Sequence, residues 1–416
     1  MGRHMNEVSE GAEGNSKKDM AGDIETRGAL KRDWQRKTAG KGHSTSRETG
    51  QFESDVETQS GKDCSPNSQI RSRNIVFLKT HKTGSSTFQN ILFRLGEKRG
   101  LTFAFPVYTY QFAYPEKFAK GFVEDLPREA TEFNILCSHM RLDVLAVQEV
   151  MPGSTFYLTI LRDPVSTFES VFTYYRTTVP AFELVLNISG NPLTTFLAAP
   201  HHYYDSRYIT NGLAKNPMTF DLGLNSTRER VDETWQKDLE KLEKDFHLVM
   251  IAEYFDESLI LVKELLSLDF EDLVYVRLNT RPQGSRVTID RDKSQQIRTW
   301  NQLDVDLYEH FNRTFWKKIQ CYGHTRMKKE LEVLESLTRQ TRKSCLDGGP
   351  VGPEKTSDNL RPWQPDTTKI LGYNLRRNLS SLEYEKCFRL VLPELRFHTY
   401  LYQRQYGRDM KTLPLD

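Results

Sequence analysis

Charge of one sign is in short supply in this 416-residue chain: 58 Lys and Arg stand against 56 Asp and Glu, a formal net charge of +2. A nucleic-acid binder draws much of its affinity from phosphate contacts and needs a lopsided basic surface, so no nucleic-acid partner is expected. Long apolar runs are missing as well. None approaches the roughly 18 consecutive apolar residues of a membrane-spanning helix. The start of the chain lacks the charged-then-apolar pattern of a signal peptide, and Met1 to Met5 (Met-Gly-Arg-His-Met) reads as an added segment or a misassigned start. Cysteine is sparse: Cys64, Cys137, Cys321, Cys345 and Cys387 form no Cys-x-x-Cys pair, so zinc and thiol-redox motifs are unsupported and no metal is expected. Three of the five fall in the C-terminal third, where one disulfide would suit an oxidising lumen, and the odd count leaves at least one thiol unpaired within a monomer.

Aromatic residues are plentiful, with 23 Phe, 18 Tyr and 5 Trp, enough to build a large core. The length suits one large domain or two intimate ones plus a tail. Residues 1–73 are polar, with charges of both signs scattered among Ser, Gly, Thr and Asn. Such a segment buries too little apolar area to offset its chain entropy and is expected to be disordered. The folded part is expected over 74–406, with 407–416 as a short second tail. Within it, the apolar run Ile75-Val76-Phe77-Leu78 predicts a strand buried on both faces, followed by a turn and a helix. Further strands are predicted over 133–137, 155–161, 247–251 and 273–278, with helices over 142–150, 164–175, 229–244 and 257–268. Alternating strands and helices imply an α/β fold, a central parallel sheet flanked by helices. Residues 180–224, with Pro180, Pro192, Pro200 and Pro217, read as an irregular insertion on the acceptor side of a binding site, and 292–406 as a helical C-terminal part.

Two stretches carry the chemistry. Between the first strand and first helix lies Lys79-Thr80-His81-Lys82-Thr83-Gly84-Ser85-Ser86-Thr87. Backbone N–H groups of such a turn converge with the positive end of the helix dipole, so an anion is expected there. Lys79 and Lys82 add full charges, the hydroxyl residues add donors, and Gly84 permits close approach. The lysine precedes the glycine, unlike Gly-x4-Gly-Lys-[Ser/Thr], and no carboxylate for Mg²⁺ stands out, which disfavours a nucleotide triphosphatase. The second stretch, Arg162-Asp163-Pro164 with Ser170 eight residues beyond the arginine, again leaves a strand for a helix. It could clamp a second phosphate by the forked donors of Arg162 and the Ser170 hydroxyl, or merely form an Arg–Asp pair that caps the helix.

This pairing resembles the PAPS-dependent sulfotransferases, and the wording of 77–92, with Ser138-His139-Met140-Arg141, Arg277-Leu278-Asn279-Thr280-Arg281 and Trp300-Asn301-Gln302-Leu303-Asp304, is similar to the galactose-3-O-sulfotransferase family over roughly 74–400. Arg277 stands where that family usually has lysine. The resemblance implies a P-loop-like sulfotransferase fold and 3′-phosphoadenosine 5′-phosphosulfate (PAPS) as donor. It implies transfer to the 3-hydroxyl of a terminal galactose, on galactosylceramide or a related glycolipid, with protein-linked or free glycans as the alternative. A non-catalytic glycan- or nucleotide-binding protein of the same fold is the reading from another class. The expected donor site comprises Lys79, Thr80, Lys82, Thr83, Gly84, Ser85, Ser86, Thr87, Arg162, Ser170 and Arg281. His81 is the candidate base, since imidazole titrates near working pH, and Lys82 the group that stabilises the departing charge. Acceptor contacts are sought at His139, Arg141, His201, Tyr203 and Tyr204. The resemblance also implies a lumenal Golgi enzyme associated with the membrane, which agrees with four glycosylation acceptors at Asn187, Asn225, Asn312 and Asn378.

Overall fold

The structure, a computed structural model, describes residues 73–229 and 231–411. The tail expected over 1–73 thus lies outside the described residues apart from Arg73, as do Cys64 and the end of the second tail. Four parallel strands make up the sheet among the described residues: β1 (Ile75–Leu78), β2 (Ile135–Leu136), β3 (Phe156–Leu161) and β4 (Leu248–Ile251), in the order β2-β1-β3-β4. Ile75 pairs with Ile135 on one side and Phe156 on the other, and Leu158 with Leu248. Every strand residue is buried, because helices cover both faces of the sheet. The chain runs from β1 outward to β2 and then returns to the opposite side of β1 for β3. That reversal creates a switch point between the carboxyl ends of β1 and β3, where open α/β sheets leave a crevice for ligands.

Helices α1 (Ser85–Arg99), α2 (Val144–Gln148) and α3 (Pro164–Tyr175) come after the first three strands. Four short ones follow: α4 (Pro180–Glu183), α5 (Pro192–Ala198), α6 (Pro200–Tyr203) and α7 (Pro217–Asp221). Then α8 (Glu233–Asp245), α9 (Phe255–Leu266) and α10 (Phe270–Leu273) flank β4. The C-terminal part is α11 (Arg291–Trp300), α12 (Gln302–Tyr322), α13 (His324–Cys345), α14 (Ser381–Val391) and α15 (Glu394–Tyr406).

Two expectations are corrected here. The stretch 180–224 is not irregular: each of its four prolines opens a short helix, in the first turn where the missing N–H has no partner to lose. Its Phe182, Leu193, Phe196 and Leu213 join Phe168 and Phe172 of α3 and Trp300 of α11 in a buried cluster. The segment is core, and it presents the end of α7 to the switch point. The strand expected over 273–278 is also absent. Its buried apolar residues pass as extended chain along α1, held by side chains instead of a ladder: Arg94 Nη2 donates to the Val274 carbonyl (2.6 Å) and the Leu278 N–H to Thr87 Oγ1 (3.1 Å).

The C-terminal helices dock on α1. Asn90 Nδ2 donates to the Arg389 carbonyl (2.9 Å) and Arg389 pairs with Glu97 (2.6 Å). A disulfide, Cys345–Cys387, ties the end of α13 to α14 across 42 residues, and Cys137 is buried as a free thiol. No described helix is long and apolar enough to cross a membrane.

Candidate active site

The loop from β1 to α1 lies on one side of the switch point. Lys82 and Gly84 both take positive φ, 59° and 83°, a conformation that costs glycine nothing and lysine something. Gly84 caps α1 with no side-chain acceptor, and no acidic residue lies in the first turn. The leading N–H groups of α1 and its dipole therefore have no carboxylate from the helix itself. Three hydroxyls brace the loop from inside: Thr80 Oγ1 donates to the Ile160 carbonyl (2.5 Å), and Ser85 Oγ (2.8 Å) and Thr83 Oγ1 (3.2 Å) to the Thr80 carbonyl. Thr87 Oγ1 is occupied by the Leu278 N–H. Of the donor residues expected from sequence, these four shape the cradle with their side chains, while Ser86 and Lys79 face a charged partner.

That partner is Glu394, the first residue of α15. Its carboxylate accepts from Lys79 Nζ (3.0 Å) and from Ser86 Oγ (2.6 Å). Burial alone would raise its pKa, but the Lys79 ammonium and the Ser86 hydroxyl hold it below the usual carboxylate value. Arg162 leaves β3 on the other side of the switch point and bridges the two loops, its Nη1 donating to the Lys82 carbonyl (3.0 Å). Asp163 turns away to cap α3 through the Ser166 N–H (2.9 Å). Arg281 grips Glu169 with both Nη atoms (3.2 and 2.6 Å), beside the buried Ser170. Positive charge outweighs negative around Lys82. Burial first, then Arg281, Lys79 and Arg162, push its ammonium down to about 7, with Glu394 opposing. The Lys82 Nζ rests 3.6 Å above the Tyr174 ring, a cation–π contact that holds the side chain toward α3.

His81 sits within the same loop and is 2% exposed; Asp221, at the end of α7, is fully buried. One carboxylate collects three donors: the His81 N–H (2.7 Å), His81 Nδ1–H (3.0 Å) and the Tyr114 hydroxyl (2.8 Å). Gly223 makes this placement possible, because it turns with φ of 74° where a Cβ would meet the Leu142 carbonyl at 1.9 Å. Burial and the Asp221 charge keep the Tyr114 hydroxyl protonated well above its ordinary range. With Nδ1–H committed to Asp221, the lone pair of His81 is on Nε2. His139 stacks on the His81 ring, 4.0 Å apart and 12° from parallel. Its Nε2 must accept from Lys79 Nζ (2.7 Å), since an ammonium has no acceptor, and its Nδ1–H donates to the Lys79 carbonyl (2.6 Å). Burial, His81 and Lys79 push its pKa well below the ordinary value, so it stays neutral beside His81.

Other expected residues fall elsewhere. His139, half-buried, instead lies at the site itself, against the His81 ring. Arg141 lies 4.3 Å over the Phe220 ring, next to Asp221, with its Nε buried and unpartnered. His201 and Tyr204 gather round Trp300 (4.9 and 5.5 Å) and Tyr203 stacks on Phe196 (6.1 Å), so these three rings pack on the aromatic core. Asn187, Asn225 and Asn378 are exposed, whereas Asn312 is half-buried within α12. Asp221, Tyr114, Tyr174, Glu169 and Glu394 escaped the sequence reading. His81 and Asp221 are 140 residues apart, Ser86 and Glu394 308, and no local spacing marks either pair.

The arrangement can bind a multiply charged anion at the switch point and remove a proton beside it. A family model described as galactose-3-O-sulfotransferase matches residues 44–405, beginning ahead of the domain start expected at 74. The chain is 41% identical to the galactosylceramide sulfotransferase of Homo sapiens over 329 residues, 78% of this chain and 77% of that one. It is 40% identical to galactose-3-O-sulfotransferase 2 of Sus scrofa over 349 residues (82% and 86%) and 39% identical to galactose-3-O-sulfotransferase 3 of Bos taurus over 343 residues (80% and 79%). The sequence motifs, the α/β sheet and these matches agree: the chain is a sulfotransferase and belongs to the galactose-3-O-sulfotransferase family.

Proposed function

We propose that the protein transfers a sulfuryl group from PAPS to the 3-hydroxyl of a terminal galactose, on galactosylceramide or a related glycolipid, with galactose-ended glycans as the alternative acceptor. The observation that supports this reading is the excess of positive charge around Lys82 set beside an Asp221-oriented histidine. A donor with a 3′-phosphate and a 5′-phosphosulfate suits that excess, and an anion there would restore the lowered pKa of Lys82. The N–H groups at the start of α1, with Lys79, Lys82 and Ser86, would hold the phosphosulfate; Arg162, Ser170 and Arg281 would hold the 3′-phosphate. PAPS supplies an activated sulfuryl group whose transfer leaves negative charge on the phosphate.

The residues of the chain do the rest by position and charge. His81 Nε2 accepts the proton of the attacking hydroxyl, and Asp221, already bonded to Nδ1, stabilises the imidazolium that results. Neutral His139 keeps a second positive imidazole away from that charge. Lys82 neutralises the charge developing on the departing phosphate. The folded unit 74–406 is the catalytic domain, and a Golgi lumenal setting fits the disulfide and the exposed sequons at Asn187, Asn225 and Asn378. Asn312 fits less well, being half-buried within a helix.

The test is transfer of ³⁵S from labelled PAPS to galactosylceramide and to lactose, by wild type and His81→Ala. Label on at least one acceptor that collapses in the variant supports the reading. A folded protein that binds the donor product 3′-phosphoadenosine 5′-phosphate (PAP) and labels neither acceptor overturns it.

A further inference from the structure

Trp363 is 59% exposed, a large aromatic surface left in water on the loop between α13 and α14. Its ring lies 6.4 Å from that of Tyr174, tilted by 53°, and Tyr174 is the ring that carries Lys82 Nζ. The indole is therefore separated from the reacting lysine by one side chain. The same loop returns to Tyr174, where Thr367 Oγ1 donates to its carbonyl (2.9 Å). There it closes a cavity of about 350 Å³, at the lower end of the roughly 300–1,000 Å³ usual for small-molecule sites. Phe172 and Leu193 supply apolar wall, and Arg176, Asn191 and Thr368 supply polar groups. Thr368 Oγ1 is buried without a hydrogen-bond partner, and the one hydrogen bond of Arg176 among the described residues is a long one to the Thr367 carbonyl (3.5 Å). No carboxylate lines the space.

An indole on the same loop as the unpartnered Thr368 hydroxyl, which lines the cavity together with the Arg176 guanidinium, matches a pyranose ring, which has an apolar C–H face and a rim of hydroxyls. An acyl chain would leave Thr368 and Arg176 unpaired at a cost. We infer that Trp363 and the cavity behind Tyr174 form a second saccharide subsite, holding the sugar to which the reacting galactose is attached. The inference rests on the galactose reading above and extends it: acceptors of two or more sugars gain contacts that a lone galactoside lacks. It also moves the acceptor side from 201–204 to the loop around 363–369.

The experiment compares lactose with methyl β-galactoside as acceptors for wild type, Trp363→Ala and Thr368→Val, with calorimetric binding of lactose to each protein saturated with PAP. Trp363→Ala is expected to raise the KM for lactose about tenfold, well beyond its effect on methyl β-galactoside, with PAP affinity retained. Thr368→Val is expected to act in the same direction and more weakly. Equal changes on both acceptors, or none on lactose, overturn the subsite. Should wild type sulfate no galactoside, the galactose reading fails, and calorimetry still decides: lactose binding that Trp363→Ala abolishes supports the subsite, and no lactose binding by wild type overturns it.

Discussion

The two halves of the site are built by opposite means. On the donor side, one short loop does most of the work: 79–87 folds back on its own Thr80, and Arg162, 80 residues on, adds a bond from the neighbouring strand to the Lys82 carbonyl. On the proton-transfer side, His81 depends on Asp221 and Tyr114, and the Lys82 side chain on Tyr174, each from a different part of the chain. The donor side is crowded with positive charge, whereas the other side is aromatic and centred on one buried carboxylate, Asp221. Anion binding tolerates some variation in where a lysine ends because charge acts at a distance. Proton transfer needs one imidazole nitrogen aimed within a hydrogen bond's reach, and only packing can fix that.

Substitutions can separate the halves. The largest effect is expected at the base and its carboxylate: Asp221→Asn should lower kcat by on the order of 10²–10⁴-fold, through loss of the oriented tautomer, while PAP still binds, as paired kinetics and calorimetry would reveal. Equal loss of PAP affinity would mean the two halves are one unit. Next, Lys82→Met should cost on the order of 10²–10³ in kcat. Its pH signature follows from the lowered pKa. Lys82 in the free protein is charged below about 7 and loses its proton above, so wild-type affinity for PAP should weaken as pH rises past 7, and the variant should lose most of that slope. For folding the sign reverses. A lysine depressed from 10.5 in the unfolded chain to about 7 adds stability as pH climbs between those values, because the unfolded state binds the extra proton.

A smaller effect is expected from Glu394→Gln. Loss of this carboxylate leaves the buried Lys79 unpaired, so the ligand-free protein should melt lower, while the gain in Tm on adding PAP should exceed that of wild type. Thermal scans with and without PAP test both parts. The smallest belongs to His201→Ala, which should shift acceptor KM by less than about twofold, since that ring stands against Trp300.

The division between local and distant contacts also explains what could be read from sequence. The strands at 75–78, 156–161 and 248–251, the helix opened by Pro164 and the anion loop were legible because each is marked by a predominantly apolar run or by residues a few positions apart. The run at 273–278 misled, because its apolar residues pack along α1 while its polar backbone is satisfied by Arg94 and Thr87, a solution that composition does not distinguish from a strand. The prolines of 180–224 misled in the other direction, since each could break or begin a helix. His81 was found from its loop, but Asp221 was hidden in that same proline-marked segment, and Glu394 at the far end of the chain.

The disulfide between Cys345 and Cys387 gives that distant assembly a dependence on surroundings. It fastens α14, and the short turn from α14 to α15 delivers Glu394 to Lys79 and Ser86, so the counter-ion of the donor loop is moored by an oxidised bond. Protein produced in a reducing cytosol would keep the sheet and the β1 loop yet hold Glu394 against Lys79 less firmly. Material destined for assay is therefore best matured in an oxidising compartment, where the covalent tether and the donor cradle are completed together.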